Sequence, residues 1–569
     1  MIRFSTDPGV ADSQMNAIIY YLTAFGYIDG DFDANEKLFI RRHVKKLVEQ
    51  RAHDALGADV EQSRDVIERW TEHFHEQIDL VDDQIQAHFT ESVAEGEDPA
   101  HFLQAKLKLR CFELFRGFDE DNRAQLLGVV DELMYADGKV HPSEQQFRDE
   151  LSALLSAPVE LDDMDIVSVK DVGVGRSLAI EAPRTLAARE IDHPFLKRSE
   201  FDYASDPTVF AQQARDDLDL LRRFREKLDE QRAAGAGRLD GKKDFTEFAG
   251  ETPFLDGHVY VVPPRPGQEV ELLVVGDLHG CYSCLKAALM QADFLAKVTA
   301  YRKAPADHPL PLLVFLGDYI DRGKFSYNGI LRTVIQLFLA VPDHVFVLRG
   351  NHEYYVELNG RVLAPVRPAE AMTSLASIAP NELFGEYMRL FEAMPNTLIF
   401  DRTLFVHAGI PREDTLAEKF TGVASLNDPD LRFQMLWSDP SEADVIPLDL
   451  QKASARFPFG KKQFKSFMAR LGLTTLIRGH ERVVEGFRAI YDDPDGQLLS
   501  VFSAGGKTNS DLPLSSNYRE VTPMALTIRH KDGSSQLTPF LLDYERYNDP
   551  EHNAFFRDLA PHADAPAIG

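Results

Sequence analysis

Six apolar runs in the second half of the sequence each end in polar side chains of the kinds that bind metal ions. The ends of these runs are GDLHG (276–280), GDYIDRG (317–323), RGNHE (349–353), HAG (407–409), RGH (478–480) and SAGG (503–506). Strands of an α/β sheet deliver such groups to one crevice at their carboxyl ends. We therefore expect the candidate ligands to converge, and these are Asp277, His279, Asp318, Asn351, His407 and His480.

The mixture of ligand types favours particular metals. Carboxylate and amide oxygens combined with imidazole nitrogens suit divalent ions such as Mn²⁺, Fe²⁺ or Zn²⁺ better than a thiolate cluster does. Glycines lie beside nearly every candidate ligand, and they allow the tight turns that bring the backbone close to an ion. The pattern predicts a divalent-metal centre built at the ends of rigid strands.

The elements that carry these ligands form one part of a chain of 569 residues, a length that suggests several domains. Residues 1–160 show the apolar spacing of helices. Residues 161–250 read as a helical connector that contains one long amphipathic helix over 206–232 and ends in a glycine-rich hinge. Residues 251–548 alternate short apolar runs with helix-length segments, which predicts an α/β domain, and we expect a disordered tail over 549–569. The predicted fold class is therefore multidomain, all-α followed by α/β.

Two similar turns occur in the helical region, YIDGDFDANE (27–36) and YADGKVHPSE (135–144). Each predicts a helix-turn-helix joint in which Asn35 or Ser143 starts the second helix. A calcium-binding loop is an alternative for the first turn, but an EF-hand needs glycine and glutamate where this chain has Ala34 and Ile40. The two turns resemble those of tellurite-resistance TerB-like helical domains, which implies a fold for residues 1–160 and says almost nothing about activity.

Composition restricts the partners and the compartment. The net charge of −29 at pH 7 predicts a surface that repels nucleic-acid phosphates and anionic lipids. Three cysteines are too few for a disulfide framework, which is typical of a reducing compartment. The most apolar early run, residues 17–28, is too short to span a bilayer. We expect a cytoplasmic protein that has neither nucleic acid nor a membrane as a partner.

The ordered motifs of the second half resemble those of the phosphoprotein phosphatases (PPP family), a branch of the calcineurin-like metallophosphoesterases. The match runs from about residue 270 to 505 and includes LWSDP (436–440) in addition to the ligand-bearing motifs. The resemblance implies an α/β sandwich that holds two divalent metal ions, manganese first, with iron or zinc as alternatives. By position, Asp277 and His279 would hold the first metal, Asn351, His407 and His480 would hold the second, and Asp318 would bridge the two.

The resemblance also implies the residues that act on the substrate. His352 would be the general acid that protonates the leaving oxygen, and Asp321 would orient its imidazole ring. Arg322 would grip the phosphoryl oxygens with its planar fork of donors. The best candidate for the second phosphate-binding arginine of the family is Arg456, although the spacing here is shorter.

This chain departs from the eukaryotic members of the family near its last ligand-bearing strand. Those members continue as FSAPNY, whereas residues 502–518 read FSAGGKTNSDLPLSSNY, so the tyrosine is lost from its usual place. We therefore expect a different rim around the groove. HAG (407–409) and Cys281 also resemble bacterial and phage phosphatases and diadenosine tetraphosphate hydrolases.

The expected function follows from the resemblance. It implies a metal-dependent phosphomonoester hydrolase, with a serine/threonine protein phosphatase as the leading function and a phosphoprotein or phosphopeptide as substrate. A metal-activated water would attack the phosphorus in line, without a covalent phosphoenzyme. Hydrolysis of dinucleoside polyphosphates is the alternative at the same site. An alternative of another class is a signalling scaffold whose N-terminal helical region binds a protein partner and whose phosphatase domain is regulatory.

Overall fold

The chain forms two units in the computed structural model, which describes residues 4–5, 7–28, 32–56, 60–88, 98–115, 118–135, 142–156, 178–358, 361–363, 366 and 369–557. The first unit, called the helical unit, contains Met1–Leu161 and Ser441–Pro458. The second, called the α/β unit, contains Asp162–Pro440 and Phe459–Gly569. A segment from the middle of the predicted α/β domain therefore groups with the N-terminal helices.

The α-helices of the described residues follow one another along both units. In chain order they are α1 (Pro8–Gly26), α2 (Ala34–Leu56), α3 (Val60–His88), α4 (Pro99–Phe115), α5 (Glu120–Met134), α6 (Pro142–Ser156), α7 (Pro194–Lys197), α8 (Pro207–Gly235), α9 (Tyr282–Gln291), α10 (Phe294–Lys303), α11 (Arg332–Ala340), α12 (Glu370–Ile378), α13 (Asn381–Ala393), α14 (Glu413–Lys419), α15 (Pro429–Gln434), α16 (Leu448–Lys452) and α17 (Lys461–Leu471).

Apart from Pro458, which belongs to the helical unit, the residues of the described β-strands all lie in the α/β unit. They are β1 (Ala179–Ile180), β2 (Arg184–Thr185), β3 (Phe254–Asp256), β4 (Val259–Val262), β5 (Val270–Val275), β6 (Leu310–Phe315), β7 (Val345–Val347), β8 (Val356–Leu358), β9 (Arg361–Leu363), β10 (Thr397–Phe400), β11 (Thr403–Val406), β12 (Asp439–Pro440), β13 (Pro458–Phe459), β14 (Thr475–Arg478), β15 (Phe487–Asp493), β16 (Gly496–Val501), β17 (Met524–Lys531) and β18 (Ser534–Leu541).

Local side-chain bonds set where the helices of the first unit begin. The Asp33 carboxylate accepts from the backbone N–H of Glu36 at 2.9 Å, and the Glu36 carboxylate accepts from the backbone N–H of Asp33 at 2.9 Å. This reciprocal capping box starts α2 at Ala34. The prediction that Asn35 starts the helix is therefore wrong by one residue. The reciprocal bonds with Glu36 make Asp33 the cap, so the helix begins at Ala34. Asp29 and Asp31 of the calcium alternative lie outside the described residues.

The helical unit takes in residues 441–458, which we call the strap. Ile446 and Leu450 of the strap are buried in the same apolar core as Phe112 and Phe115 of α4. Polar contacts add to this packing, since Arg110 donates to the Glu442 carboxylate at 3.1 Å. The prediction of an all-α N-terminal region is confirmed. The helical unit also includes the strap, which the spacing of residues along the sequence does not reveal. The likeness to TerB-like domains stays a prediction.

Two seven-stranded mixed sheets build the α/β unit. The first has the order β1-β18-β17-β5-β6-β7, with β2 beside β18, and the second has the order β15-β16-β14-β11-β10-β4-β3. Strands β5, β6 and β7 run parallel, as do β11, β14 and β16. A bridge between Asp277 and Phe502 joins the two sheets just past the ends of β5 and β16. The carboxyl ends of six parallel strands therefore meet where the sheets meet, and the predicted α/β fold is confirmed.

Alternating side chains of the second sheet enter two different cores. Phe405 and Leu499 belong to the core shared with the first sheet, whereas their neighbours Leu404 and Leu498 belong to a core with α17. This alternation follows from the two-residue period of a strand. Because both faces of the sheet are covered, its strands read as continuous apolar runs, which is the feature that made them visible in the sequence.

The described part of the connector is integrated into the α/β unit. The predicted long helix is confirmed as α8, which begins after an Asp206 cap with Pro207 in its first turn. Leu221, Phe224 and Leu228 of α8 are buried in the main core. Residues 178–250 are therefore part of the α/β unit, because α8 covers one side of its main apolar core.

The tail departs from expectation over its first part. Residues 549–557, expected to be disordered, contain a short 3₁₀ helix, Ala554–Phe556, and Phe555 stacks on Phe325 with ring centroids 4.4 Å apart. Phe555 and Phe556 are buried and hold this segment in place. The polar residues around them made the segment look disordered in the sequence. Residues 558–569 lie outside the described residues. Among the described residues, no helix is both long and apolar enough to cross a membrane.

Candidate metal centre

Each candidate ligand follows the carboxyl end of a strand, as the sequence predicts. Asp277 and His279 follow β5, Asp318 follows β6, and Asn351 follows β7 in the first sheet. In the second sheet His407 follows β11 and His480 follows β14. All six side chains are buried. The two sheets thus deliver the predicted ligands from opposite sides of one centre.

Asp318 lies between two groups of side chains that can each hold an ion. One group is His279, Asp318 and His352, and the other is Asp318, His407 and His480, and in each group the ligand atoms lie within 4.8 Å of one another. Asp318 offers a different oxygen to each side, with Oδ2 at 3.5 Å from His279 Nε2 and Oδ1 at 3.4 Å from His407 Nε2. This arrangement suits a carboxylate that bridges two cations.

Asn351 adds an amide group to the second group of side chains. The Asn351 Oδ1 atom lies 2.8 Å from His407 Nε2 and 3.1 Å from His480 Nδ1, and these two nitrogens are 3.2 Å apart. With the amide oxygen turned inward, this oxygen and the two ring nitrogens converge on one buried space, whereas with the amide turned over its nitrogen donates to Asp318, His407 and His480. A divalent ion at their centre would be bound by all three when the amide oxygen faces inward, so the donor set fits a divalent ion.

Hydrogen bonds from the backbone orient the imidazole ligands. His279 Nδ1 is 2.9 Å from the Ile320 carbonyl, and His407 Nδ1 is 3.0 Å from the Leu316 carbonyl. A proton on Nδ1 of each ring would donate to these oxygens and leave the Nε2 lone pair for a metal. Burial and the neighbouring His352 lower the pKa of His279 to about 3, which keeps its ring neutral. The backbone contacts therefore orient both rings, although the carboxylates of Asp318 and Asp277 outweigh burial and raise the pKa of His407.

The carboxylates of the centre are unlike each other. Burial raises the pKa of Asp277 to about 7 despite the nearby His407, whereas interactions with His407 and His352 outweigh burial and hold the pKa of Asp318 below its usual range. Asp318 is thus the fixed negative charge around which the cationic groups gather. Asp277 accepts from the backbone N–H of His480 at 3.0 Å, and its Oδ2 lies 3.9 Å from His279 Nε2.

Unusual backbone conformations concentrate at this centre. Eight non-glycine residues among those described have positive φ, and five of them belong to the candidate site, namely His279, Asp318, Asp321, Arg322 and His480. Such conformations are strained and persist where the surrounding structure enforces them. Gly350 shows how tight the loops are, because a Cβ there would lie 2.2 Å from Asp318 Oδ1.

The two residues of the candidate acid pair, His352 and Asp321, are in contact. His352 Nδ1 lies 2.6 Å from Asp321 Oδ2, and His352 Nε2 lies 3.8 Å from Asp318 Oδ2. Burial alone would lower the pKa of His352, but the carboxylates of Asp318 and Asp321 raise it above its ordinary value. The ring is therefore held with one nitrogen on Asp321 and the other directed toward the ligand group.

The two candidate phosphate-binding arginines have different surroundings. Arg322 lies beside the centre, where its Nη1 donates to Glu370 at 2.9 Å. Arg456 lies on the strap, within the helical unit, and its backbone N–H donates to the Ser454 hydroxyl at 3.1 Å. A contact between Arg456 and phosphate stays a prediction.

Sequence reasoning missed two residues of the centre. The Glu353 carboxylate accepts from the backbone N–H groups of Asp318 and Tyr319, both at 2.8 Å, and so holds the loop that carries Asp318. Tyr518 lies at the end of the long loop after β16, and its hydroxyl is 3.4 Å from His279 Nε2. Glu353 was visible as the last letter of RGNHE, and Tyr518 as the end of SSNY. The longer loop therefore returns a tyrosine to the centre, although not at the expected place in the sequence.

Comparison with known proteins gives the family of this domain. Residues 270–483 match the sequence profile described as calcineurin-like phosphoesterase. One similar protein is a probable serine/threonine-protein phosphatase of Encephalitozoon cuniculi, 27% identical over 238 residues, which are 41% of this chain and 47% of that protein. Another is the serine/threonine-protein phosphatase 4 catalytic subunit of Saccharomyces cerevisiae, 26% identical over 250 residues, which are 42% of this chain and 70% of that protein.

The chain spans about half the length of the first of these relatives. Among solved structures, a protein serine/threonine phosphatase from Saccharomyces cerevisiae with similarity to human phosphatase PP5 is 18% identical and covers 48% of this chain and 79% of its own, with a TM-score of 0.33. The family match coincides with the strands and loops that gather the candidate ligands. Residues 270–483 are therefore a calcineurin-like phosphoesterase domain.

Proposed function

We propose that this protein is a metal-dependent phosphomonoester hydrolase that acts on phosphoserine and phosphothreonine in proteins. The observation that carries the proposal is the position of Asp318, which is shared by two buried groups of potential ligands and lies beside the His352–Asp321 pair. Such a combination suits in-line displacement at phosphorus, where two cations and one acid are needed together.

The residues that would hold the cations are the six that the sequence singled out. When bound, two divalent ions, with manganese expected first and iron or zinc as alternatives, would activate a water molecule and neutralise charge on the transferred phosphoryl group. The chain contributes the fixed geometry: backbone carbonyls orient the imidazole rings, and Glu353 holds the loop that carries Asp318. Preorganisation of this kind avoids rearrangement during the reaction.

His352 would act as the general acid. Its Nδ1 is tied to Asp321 Oδ2 at 2.6 Å, so the proton available for transfer is on Nε2. The neighbouring carboxylates favour the protonated ring over the neutral one. Protonation of a poor leaving group such as a serine alkoxide is the step in which an acid matters most. Arg322 would hold the phosphoryl oxygens with its guanidinium fork.

The substrate class rests on similarity. The two similar proteins from Encephalitozoon cuniculi and Saccharomyces cerevisiae are a probable serine/threonine-protein phosphatase and a serine/threonine-protein phosphatase catalytic subunit, and LWSDP (436–440) is part of the resemblance to that group. We extend the proposal to a phosphoprotein substrate, to a protein partner for the helical unit and to a cytoplasmic location. The net charge of −29 favours neither nucleic acid nor anionic membrane as a partner.

The test uses the full-length chain, stripped of metal by a chelator and assayed with p-nitrophenyl phosphate before and after addition of Mn²⁺. We expect no turnover without metal and recovery with it. A phosphoserine peptide and diadenosine tetraphosphate are then compared at equal enzyme concentration, and kcat/KM should be higher for the peptide. Turnover that ignores the chelator would overturn the metal-dependent mechanism, and preference for the dinucleotide would replace the proposed substrate with the alternative.

A further inference from the structure

Arg322 is held by a carboxylate that belongs to no metal-binding motif. Its Nη1 donates to Glu370 Oε1 at 2.9 Å, and the arginine side chain is 12% exposed. We infer that Glu370 is a positioning residue, which fixes the guanidinium plane of Arg322 for the phosphoryl group of the substrate. The inference rests on the proposed function and names a residue that controls how the same site binds its substrate.

Glu370 is the first residue of α12, and the core holds that helix in place. Met372 and Leu375 of α12 are buried in the main core of the α/β unit. The next residue after Glu370 also reaches the catalytic loop, because the Ala371 N–H donates to Asp321 Oδ1 at 2.7 Å. The first turn of α12 therefore supports both Arg322 and the carboxylate that orients His352.

The position of Glu370 at the start of a helix suits a carboxylate. A negative charge in the first turn of a helix is favoured by the helix dipole. Arg322 is also hydrogen-bonded to the Tyr518 side chain, so the guanidinium has a defined partner besides Glu370. Arginine grips phosphate through a rigid planar fork, and a fork is effective only if its plane is already oriented.

The Arg322–Glu370 pair has little to do with stability. The Glu370 side chain is 49% exposed, and ion pairs with an exposed partner contribute little to folding. The neighbouring Asp321 also has a positive φ, of 69° against 65° for Arg322, so this backbone conformation belongs to the loop. Variants of Glu370 should therefore fold, and their effects should appear in substrate binding.

The experiment measures KM and kcat for p-nitrophenyl phosphate, and inhibition by orthophosphate, for wild type, Glu370→Ala and Glu370→Gln with Mn²⁺ present. We expect Glu370→Ala to raise KM and the inhibition constant of orthophosphate about tenfold, with kcat within about twofold of wild type. Glu370→Gln should lie between the two, because an amide oxygen still accepts from Arg322. Glu382→Ala is the matched control, since it removes a comparable exposed pair, with Arg222, on α13.

A double-mutant cycle decides whether Glu370 acts through Arg322. Arg322→Ala should raise KM by itself, and adding Glu370→Ala should change it no further. An unchanged or lower KM in Glu370→Ala, or additive effects in the double variant, would overturn the inference while leaving the proposed function intact. Absence of turnover by the wild-type chain would instead overturn the proposed function, and the inference with it.

Discussion

The helical unit and the α/β unit both bury large apolar cores, yet they treat polar side chains differently. Among the described residues, groups of three or more histidine and carboxylate side chains within reach of one ion occur only in the α/β unit. The described non-glycine residues with positive φ also all lie in that unit. A helix distributes polar groups along its surface, whereas loops at strand ends can turn several of them toward one point. The comparison teaches that the candidate metal-binding side chains converge because irregular loops are held in place by the regular strands of the two sheets.

The largest effect is expected where both ligand groups depend on one residue. Asp318→Asn should lower kcat at least about a thousandfold, because both groups lose the negative charge that they share. The loss of a single electrostatic contact in an active site costs up to about a thousandfold, and here two groups are affected. The measurement is turnover of p-nitrophenyl phosphate with Mn²⁺ present.

A buried carboxylate of the same unit provides the control for this substitution. Burial raises the pKa of Asp511 to about 7, and its side chain accepts from Ser283, outside the candidate ligands. Asp511→Asn should therefore retain most of the activity. Equal loss of activity in both variants would mean that any buried carboxylate of the unit matters, and the contrast between the two units would lose its basis.

A smaller effect, dependent on the substrate, is expected for the acid. His352→Asn should slow hydrolysis of an alkyl phosphate or a phosphoserine peptide about a hundred- to ten-thousandfold. It should slow hydrolysis of p-nitrophenyl phosphate far less, because nitrophenolate leaves without protonation.

His344→Asn is the matched control for the acid. His344 is buried in the same unit, and its Nδ1 lies 2.7 Å from the Pro311 carbonyl. It should not change the ratio of the two rates. A His352→Asn variant that slows both substrates equally would contradict the role of His352 as acid.

The helical unit should respond to mutation in stability instead of rate. Leu450→Ala on the strap removes a buried side chain from the core of that unit and should lower its free energy of unfolding by about 2–5 kcal/mol. The two tryptophans allow a specific measurement, because Trp70 lies in α3 and reports the helical unit in a Trp437→Phe background. Urea denaturation followed by fluorescence gives the difference.

An exposed leucine of α3 serves as the reference for the strap. Leu80 is 51% exposed, and Leu80→Ala should change the free energy of unfolding by no more than about 0.5 kcal/mol. Similar small changes for Leu80→Ala and Leu450→Ala would show that the strap is not part of the helical core.

The smallest effect is expected at the capping box of α2. Asp33→Ala removes the acceptor for the first turn of the helix and should lower the free energy of unfolding by about 1 kcal/mol. Thermal unfolding in the same Trp437→Phe background measures it, with Asp83→Ala on α3 as an exposed reference. A loss no larger than that of the reference would assign the start of α2 to some other feature.

Much of the α/β unit could be predicted because its information is local. A buried parallel strand is a continuous apolar run, and each candidate ligand follows its strand within a few residues, so the candidate ligands were visible as short motifs. The shared position of Asp318 came from resemblance, since spacing alone does not say which carboxylate lies between two ions.

The other features of the structure could not be predicted from the sequence, because they depend on contacts between residues far apart in the chain. Glu370 contacts Arg322 from a helix 48 residues later in the chain, and Tyr518 reaches His279 across 239 residues. The strap reads as an ordinary part of the α/β domain, and only its burial beside α4 assigns it to the helical unit. Residues 549–557 look polar in the sequence, but burial of Phe555 and Phe556 gives part of this segment a regular structure.

The most direct test of the account is the number of metal ions bound by the intact chain. Purified wild type supplied with Mn²⁺ and analysed for metal and protein together should hold two ions per chain, and Asp318→Asn should hold fewer at the same metal concentration. A folded wild-type protein that holds a single ion or none, with iron and zinc as well as manganese, would contradict the claim that Asp318 joins two metal sites.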